Sequence, residues 1–383
     1  RIAYSFCLPL ERLHLFAMRQ IGNSERGIIW KSCISAESSR PMSNFDFIPQ
    51  RKRQQHLFIV EGKHEKKELL GLMLQCFPEM NIQDENIVIY ESNIFNLNAR
   101  LEKEYGEDWE DTDVDLPYVV SKMQSLGTTW YKDNFIDIFL IFGYERQDTY
   151  FSDEIILKMQ KYFSNETDMG KLYINYPMVE SYWDTFDAPQ QQFSEKKVML
   201  PLKNGKQYKL RTAESLIAQA VELPQRIDNI LEKECKVEDS KVRKRCVEEI
   251  LVLRESHTLM ECVQNILTEK AAEHSFETKT RLICDKIKRI GYTEQNTTYL
   301  AYMRNEFCKI ICRSIRKASL IQNGDYNISD AQLKQSLVDM DAVKILKEQN
   351  RCSKDEQNGF VWVLNTSVLL VPDYSYDLIT KHS

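Results

Sequence analysis

The chain is expected to be an α/β protein, with a mainly parallel sheet flanked by helices and then a mostly α-helical C-terminal domain. Three observations lead there. Between His56 and about Tyr182, short apolar runs alternate with helical patterns, the order that builds a parallel sheet. One run, FIDIFLIF (Phe135 to Phe142), is almost continuously apolar, as strands buried on both faces are. Beyond about Asn204, apolar residues recur at three- and four-residue spacing over long stretches, which marks amphipathic helices.

At 383 residues and 43% hydrophobic content the chain is long enough for two cores, and its 12 Gly and 10 Pro leave few forced breaks, so helix should dominate. The expected division is an N-terminal extension over 1–48, a sheet domain over 49–203 and a helical domain over 204–383. The first 48 residues mix Ser, Arg and isolated apolar clusters without sustained periodicity, and RIAYSFCLPL is too short and poorly flanked for a signal peptide.

In order, HLFIV from His56 is the first strand and ends on Glu61-Gly62. Lys63 to Phe77 is a helix whose apolar side is Leu69, Leu70, Leu72, Met73 and Leu74. NIVIY (Asn86 to Tyr90) is a strand, Asn93 to Tyr105 a helix, and after an acidic turn Leu116 to Gln124 is another helix. After the FIDIFLIF strand, Ser152 caps a helix running to Phe163, with Asp153 and Glu154 favouring its positive end. KLYINYP (Lys171 to Pro177) is the next strand. Three long helices are then expected, Ala213 to Cys235, Ser240 to Glu269 and Phe276 to Ile321, before strand structure over Gly359 to Val371 closes the second domain.

Ligands in open α/β sheets gather at the carboxyl ends of the strands. Glu61, the Gly143-Tyr144-Glu145 turn and Met178-Val179-Glu180 should therefore converge. The glycine after Glu61 leaves room for its carboxylate to approach another group. Hard cations such as Mg²⁺ take several oxygen ligands, and carboxylates on neighbouring strand ends supply them. Two such ions can activate a water and stabilise the leaving oxygen in phosphodiester cleavage. The candidates are Glu61, Glu145 and Glu180, with Asp148 or Asp184 as further acids.

These residues resemble the Toprim family, the catalytic domain of type IA topoisomerases, bacterial primases, overcoming-lysogenization-defect nucleases and ribosomal-RNA maturation ribonucleases. The resemblance covers about Gln55 to Tyr182. Its Glu-Gly motif is matched by FIVEGKHEK at Glu61, its DxD-like element falls on IFLIFGYERQD, and a later glutamate is matched by YPMVESY at Glu180. It implies Glu61, Glu145 and Glu180 as catalytic residues, Glu61 serving as general acid or base. It also implies Mg²⁺ or Mn²⁺ on Glu61, Glu145, Asp148 and Glu180. The closest likeness is to anti-phage Toprim effectors of the PARIS type, which implies a cytoplasmic nuclease acting on RNA or DNA with a partner ATPase. One position departs from the pattern: Gly143 stands where the first Asp of the DxD-like element belongs. Losing that carboxylate weakens metal binding, so the alternative is a regulatory or nucleic-acid-binding module without turnover.

Other features narrow the reading. The net charge of −6 argues against a chain that binds nucleic acid everywhere but permits a local basic face. Between Lys279 and Lys317 ten Lys or Arg stand against three acids. Lys286, Lys288, Arg289, Arg304, Lys309, Arg313, Arg316 and Lys317 are candidates for gripping phosphates, with Tyr292, Tyr299 and Tyr302 for base stacking. Helices of this kind also serve assembly into a homo-oligomer. Asp111, Asp113 and Asp115 imitate the opening of a calcium loop, but Leu116 and Lys122 replace its required Gly and closing Glu, leaving a solvated acidic loop. Ten cysteines without a CxxC pair fit reduced thiols, Cys308 and Cys312 included. No run approaches the roughly 18 apolar residues of a membrane span.

Overall fold

The computed structural model describes residues 54–380 apart from 124–128, 186–191, 201–204, 272–276 and 356. The extension expected over 1–48 lies outside them. The described residues belong to one compact unit, built on a five-stranded sheet in the order β2-β1-β3-β5-β4. Strands β1 (Gln54–Val60), β2 (Ile87–Ile89), β3 (Phe135–Gly143) and β5 (Gly170–Asn175) run parallel, and β4 (Ser164–Asn165) pairs antiparallel on the edge.

Alternation of side chains along the two central strands buries both faces of this sheet. Phe58, Val60, Phe139, Ile141 and Tyr173 face one layer, shared with Leu69, Leu70, Met73 and the C-terminal helices. Leu57, Ile59, Ile138, Leu140, Phe142 and Ile174 face the other, covered by helices Ile94–Tyr105, Leu116–Met123 and Asp153–Tyr162. Local capping fixes where two of those helices begin. Asn93 accepts from Asn96 N–H at 3.0 Å, and Ser152 from Ile155 N–H at 3.3 Å.

The expected Lys63–Phe77 helix opens with a π-helical turn, Glu65–Leu70, before continuing as Gly71–Cys76. Each long C-terminal helix proves to be two. Leu216–Val221 is followed by Leu223–Lys233, Ser240–Leu251 by Leu259–Ala271, and Glu277–Ile290 by Tyr299–Asn323. The last break falls at Gly291 and Asn296, both at positive φ, where a continuing helix is interrupted. Tyr299–Asn323 is the spine of this half. It packs Phe307 against Phe77 and Tyr182 at centroid distances of 6.4 and 6.2 Å and ends at Gly324 with φ of 77°.

Of the strand structure expected over Gly359 to Val371, Phe360–Trp362 forms β7, paired with β6 (Lys197–Met199). Ser367–Leu369 and Leu370–Tyr374 are helical instead. This returning segment is stitched to the end of β5. Tyr176 and Leu364 exchange backbone hydrogen bonds of 2.7 and 2.9 Å, and the buried Asn175 side-chain oxygen accepts from Thr366 N–H, Ser367 N–H and the Ser367 hydroxyl. Asn365 donates to Val179 O at 2.8 Å, which holds the Glu180 turn against the sheet. No helix among the described residues is long and apolar enough to cross a membrane.

Candidate functional site: an acidic cleft at the strand ends

The carboxyl ends of β1, β3 and β5 meet in a cleft of about 210 Å³ lined by Glu61, Glu65, Gly143, Glu145, Gln147, Met178, Val179, Glu180 and Lys209. Parallel register explains the meeting, because Val60 lies beside Ile141 and Gly143 beside Asn175, so β3 and β5 end together and β1 ends within two residues of them. Glu61 donates its backbone N–H to Ile141 O at 3.1 Å, which extends β1 by one residue. Its side chain then crosses to β3, where it accepts the Gly143 N–H at 2.8 Å.

Glu65, one turn further on, is buried and accepts the Gly62 N–H at 2.9 Å. Glu145 sits in the left-handed region at φ 49°, an uncommon conformation for a residue with a side chain. Gln147 donates to its carboxylate at 2.8 Å. Glu180 is 1% exposed. One of its oxygens accepts from Lys209 Nζ at 2.8 Å, and the other, Oε2, is buried without a hydrogen-bond partner.

Crowding acids away from water raises their proton affinity. Burial, reinforced by the Glu145 charge, pushes Glu61 up to about 8. Burial and the charge of Asp148 push Glu145 up to about 7. Glu65 is raised by burial as well, while Lys209 is held above the usual lysine range because Glu180 outweighs the effect of its own burial. At neutral pH the cleft thus keeps at least one carboxyl in its acid form, the condition a proton donor needs.

Gly143 explains the gap in the acidic set. A Cβ built there would stand 2.7 Å from Glu145 Oε1 and 3.4 Å from Glu61 Oε2. The missing side chain therefore points between the two glutamates. Asp148 is nearby but engaged, accepting from Asn93 Nδ2 at 2.6 Å and from Tyr150 N–H at 2.7 Å. Asp184 faces elsewhere and takes Lys196 and Arg211. Among the described residues no three acidic, His or Cys side chains stand close enough to hold a metal ion between them. Glu61, Glu145 and Glu180 do share the cleft; Glu65 and Lys209 belong to it without having been anticipated. Glu65 is signalled by its place in the first turn of the helix that follows Glu61-Gly62.

The basic segment requires correction. Lys317 is fully buried and donates to the carbonyls of Phe193, Ser194 and Lys196 at 2.9, 2.7 and 3.0 Å, so it is not a phosphate ligand. Arg313 donates to Thr185 O and Arg316 to Ile328 O, and Arg316 also pairs with Asp330. Arg304 is tied to Glu79 and Cys76 O, and Lys309 pairs with Glu306. Tyr292 and Tyr299 are buried and unavailable for stacking, while Tyr302 is half-buried. Of these candidates Lys288, Arg289 and the Glu306-paired Lys309 remain on the surface, with Lys286 half-buried beside the first two.

The acidic loop also has local partners. Asp113 pairs with Lys132, and Asp115 accepts from Tyr118 and Lys132 N–H groups. Cys308 lies in the core and Cys312 packs half-buried against it. No family model, curated protein or solved structure matches this chain, and the reading of the cleft rests on its own geometry and on the motifs that line it.

Proposed function

We propose that the cleft is the site of a divalent-cation-dependent phosphodiester hydrolase of the Toprim type, with turnover held low by Gly143. The observation that carries the reading is the meeting of Glu61, Glu145 and Glu180 from the ends of three adjacent parallel strands. The donors suit a hard cation, being oxygen throughout, and the buried Oε2 of Glu180 is an acceptor without a hydrogen-bond partner. Mg²⁺ commonly binds through one or two carboxylates, completing its shell with water and substrate phosphate. Glu61 and Glu145, facing each other across Gly143, suit that role for Mg²⁺ or Mn²⁺. When bound, such an ion supplies charge stabilisation to a phosphoryl group and lowers the pKa of a water.

The chain's own residues do the remainder. Burial raises the proton affinity of Glu61 in the metal-free cleft; as a ligand it would be deprotonated, and where Glu145 alone carries the ion it can donate a proton to a leaving oxygen. Glu180 anchors Lys209, whose partly exposed ammonium supplies a positive charge to a phosphate. Gly143 withholds the carboxylate that would fix the ion more tightly. RNA or DNA as substrate, a role in anti-phage defence and an activating ATPase follow from the likeness of FIVEGKHEK and YPMVESY to the effector nucleases. The test is Mn²⁺-dependent cleavage of single- and double-stranded RNA and DNA by the purified protein and by Glu61→Ala. Slow, chelator-sensitive cleavage that disappears in Glu61→Ala is expected. Cleavage unchanged in a folded Glu61→Ala would refute the assignment, and none in either protein would favour the binding-module alternative.

A further inference from the structure

Lys209 is the one ammonium among the described residues that line the cleft, and it comes from a short helix, Gly205–Thr212, that is not part of the sheet. Its own helix does little to fix it, since the side chain is 45% exposed and long flexible side chains lose entropy when held in one place. Something must hold the helix at the strand ends. The contacts converge on Asp184. Asp184 closes the 3₁₀ turn Val179–Asp184 that also carries Glu180. Its Oδ2 accepts from Arg211 at 2.7 Å and more distantly from the buried Tyr208 hydroxyl at 3.4 Å. These two residues flank Lys209 on the same helix. Oδ1 accepts from Lys196 Nζ at 3.0 Å, and Lys196 donates to the Asp184 carbonyl as well. Turn and helix are thus joined at two points, Glu180 to Lys209 and Asp184 to Arg211.

Behind this junction stands the spine helix. The buried Lys317 holds the Phe193, Ser194 and Lys196 carbonyls, with the Trp362 ring centre 4.3 Å from its ammonium. Arg313 holds Thr185 O at 3.2 Å, the residue after Asp184. Lys196 is therefore fixed through its backbone while its side chain fixes Asp184.

We infer that Asp184 is a positioning residue that seats Lys209 in the acidic cleft, braced from behind by Lys196 and Lys317. The importance of Lys209 rests on the hydrolase reading, but the seating itself does not. It can be measured on the metal-free full-length protein by trace acylation with acetic anhydride and mass spectrometry, following Lys209 against Lys161, an exposed lysine on another helix. An amine released from its carboxylate reacts faster. Asp184→Asn should raise the relative reactivity of Lys209 roughly five-fold, the weight of a partly exposed ion pair, and leave Lys161 unchanged. Asp184→Glu should restore most of the protection, which a merely space-filling role would not require.

Arg211→Met removes one arm of the clamp from the surface and should give a smaller rise in the same direction; it serves as the test if Asp184→Asn fails to fold. Unchanged Lys209 reactivity in the folded variants, or a rise shared equally by Lys161, overturns the inference. Cleavage assays on the same samples separate the two ideas. Selective Lys209 release with no cleavage in any protein sinks the hydrolase reading alone, whereas cleavage with no release sinks the positioning role alone.

Discussion

Replacing Glu61 by Gln tests the electrostatics of the cleft without disturbing its shape, because the amide oxygen can still accept the Gly143 N–H that Glu61 takes at 2.8 Å. In the folded protein the Glu61 carboxyl is raised from 4.5 to about 8. The sign follows from proton binding. Between those values the folded state holds a proton that the unfolded chain has released, so stability falls as pH rises through the interval. The penalty is absent below about pH 4 and complete above about pH 8. One pKa unit corresponds to about 1.4 kcal/mol, giving a ceiling near 5 kcal/mol. Glu145 shares the burden of repulsion, and both side chains keep some solvent contact at the cleft mouth, so we expect roughly 3 kcal/mol.

Urea unfolding in chelator should therefore show Glu61→Gln and the native protein equally stable near pH 4.5. The variant should become more stable by that amount at pH 8.5. Parallel stability curves from pH 5 to 9 would mean that Glu61 is an ordinary solvated carboxylate, and the proton-donor role would fall with them.

Other outcomes follow from the same contacts. Lys317→Met leaves three carbonyls without their donor and should destabilise the fold by about 3 kcal/mol in urea titrations; a loss under about 0.5 kcal/mol would contradict its structural role. Burial pushes this amine down to about 7, an effect the carbonyl cage opposes. Reversing Lys286, Lys288 and Arg289 together should weaken any RNA or DNA binding and flatten its dependence on salt. An unchanged salt slope would leave no nucleic-acid face on that helix.

The sheet and three of its acids were legible because each depends on local pattern. HLFIV, FIDIFLIF and KLYINYP read as strands, and Glu61, Glu145 and Glu180 followed from where those strands end. Lys209 was not legible. Its segment, KNGKQYKLRT, has weak apolar periodicity, and Lys209 is held in the cleft through Glu180 and Asp184, contacts made across the fold. The basic helix misled for a related reason. Counting charges shows how many cations a segment carries but not which carbonyls surround them, and Lys317 and Arg313 face inward to protein backbone. Helix breaks at Gly291 and Asn296 were equally hidden, since apolar spacing continues on both sides of them. Glu65 was within reach, in the first turn of the helix after Glu61-Gly62 and followed by Leu69 on a buried face.

Position 143 tests the central claim most directly. Gly143 does not have positive φ, so Asp there meets no backbone strain, and the atom its Cβ would crowd is the mobile end of Glu145 at 2.7 Å. A full charge about 4 Å from a cation is worth at most about 4 kcal/mol per unit charge near a protein surface, most of it offset by desolvation and by repulsion among the acids. The decisive measurement is a calorimetric Mn²⁺ titration of the native protein, Gly143→Asp and Glu61→Ala, each verified as folded by circular dichroism. The account predicts weak binding by the native chain, affinity roughly ten-fold higher in Gly143→Asp, a gain of about 1.4 kcal/mol, and none in Glu61→Ala. A folded Gly143→Asp with no gain, or Glu61→Ala binding as the native protein does, would contradict it.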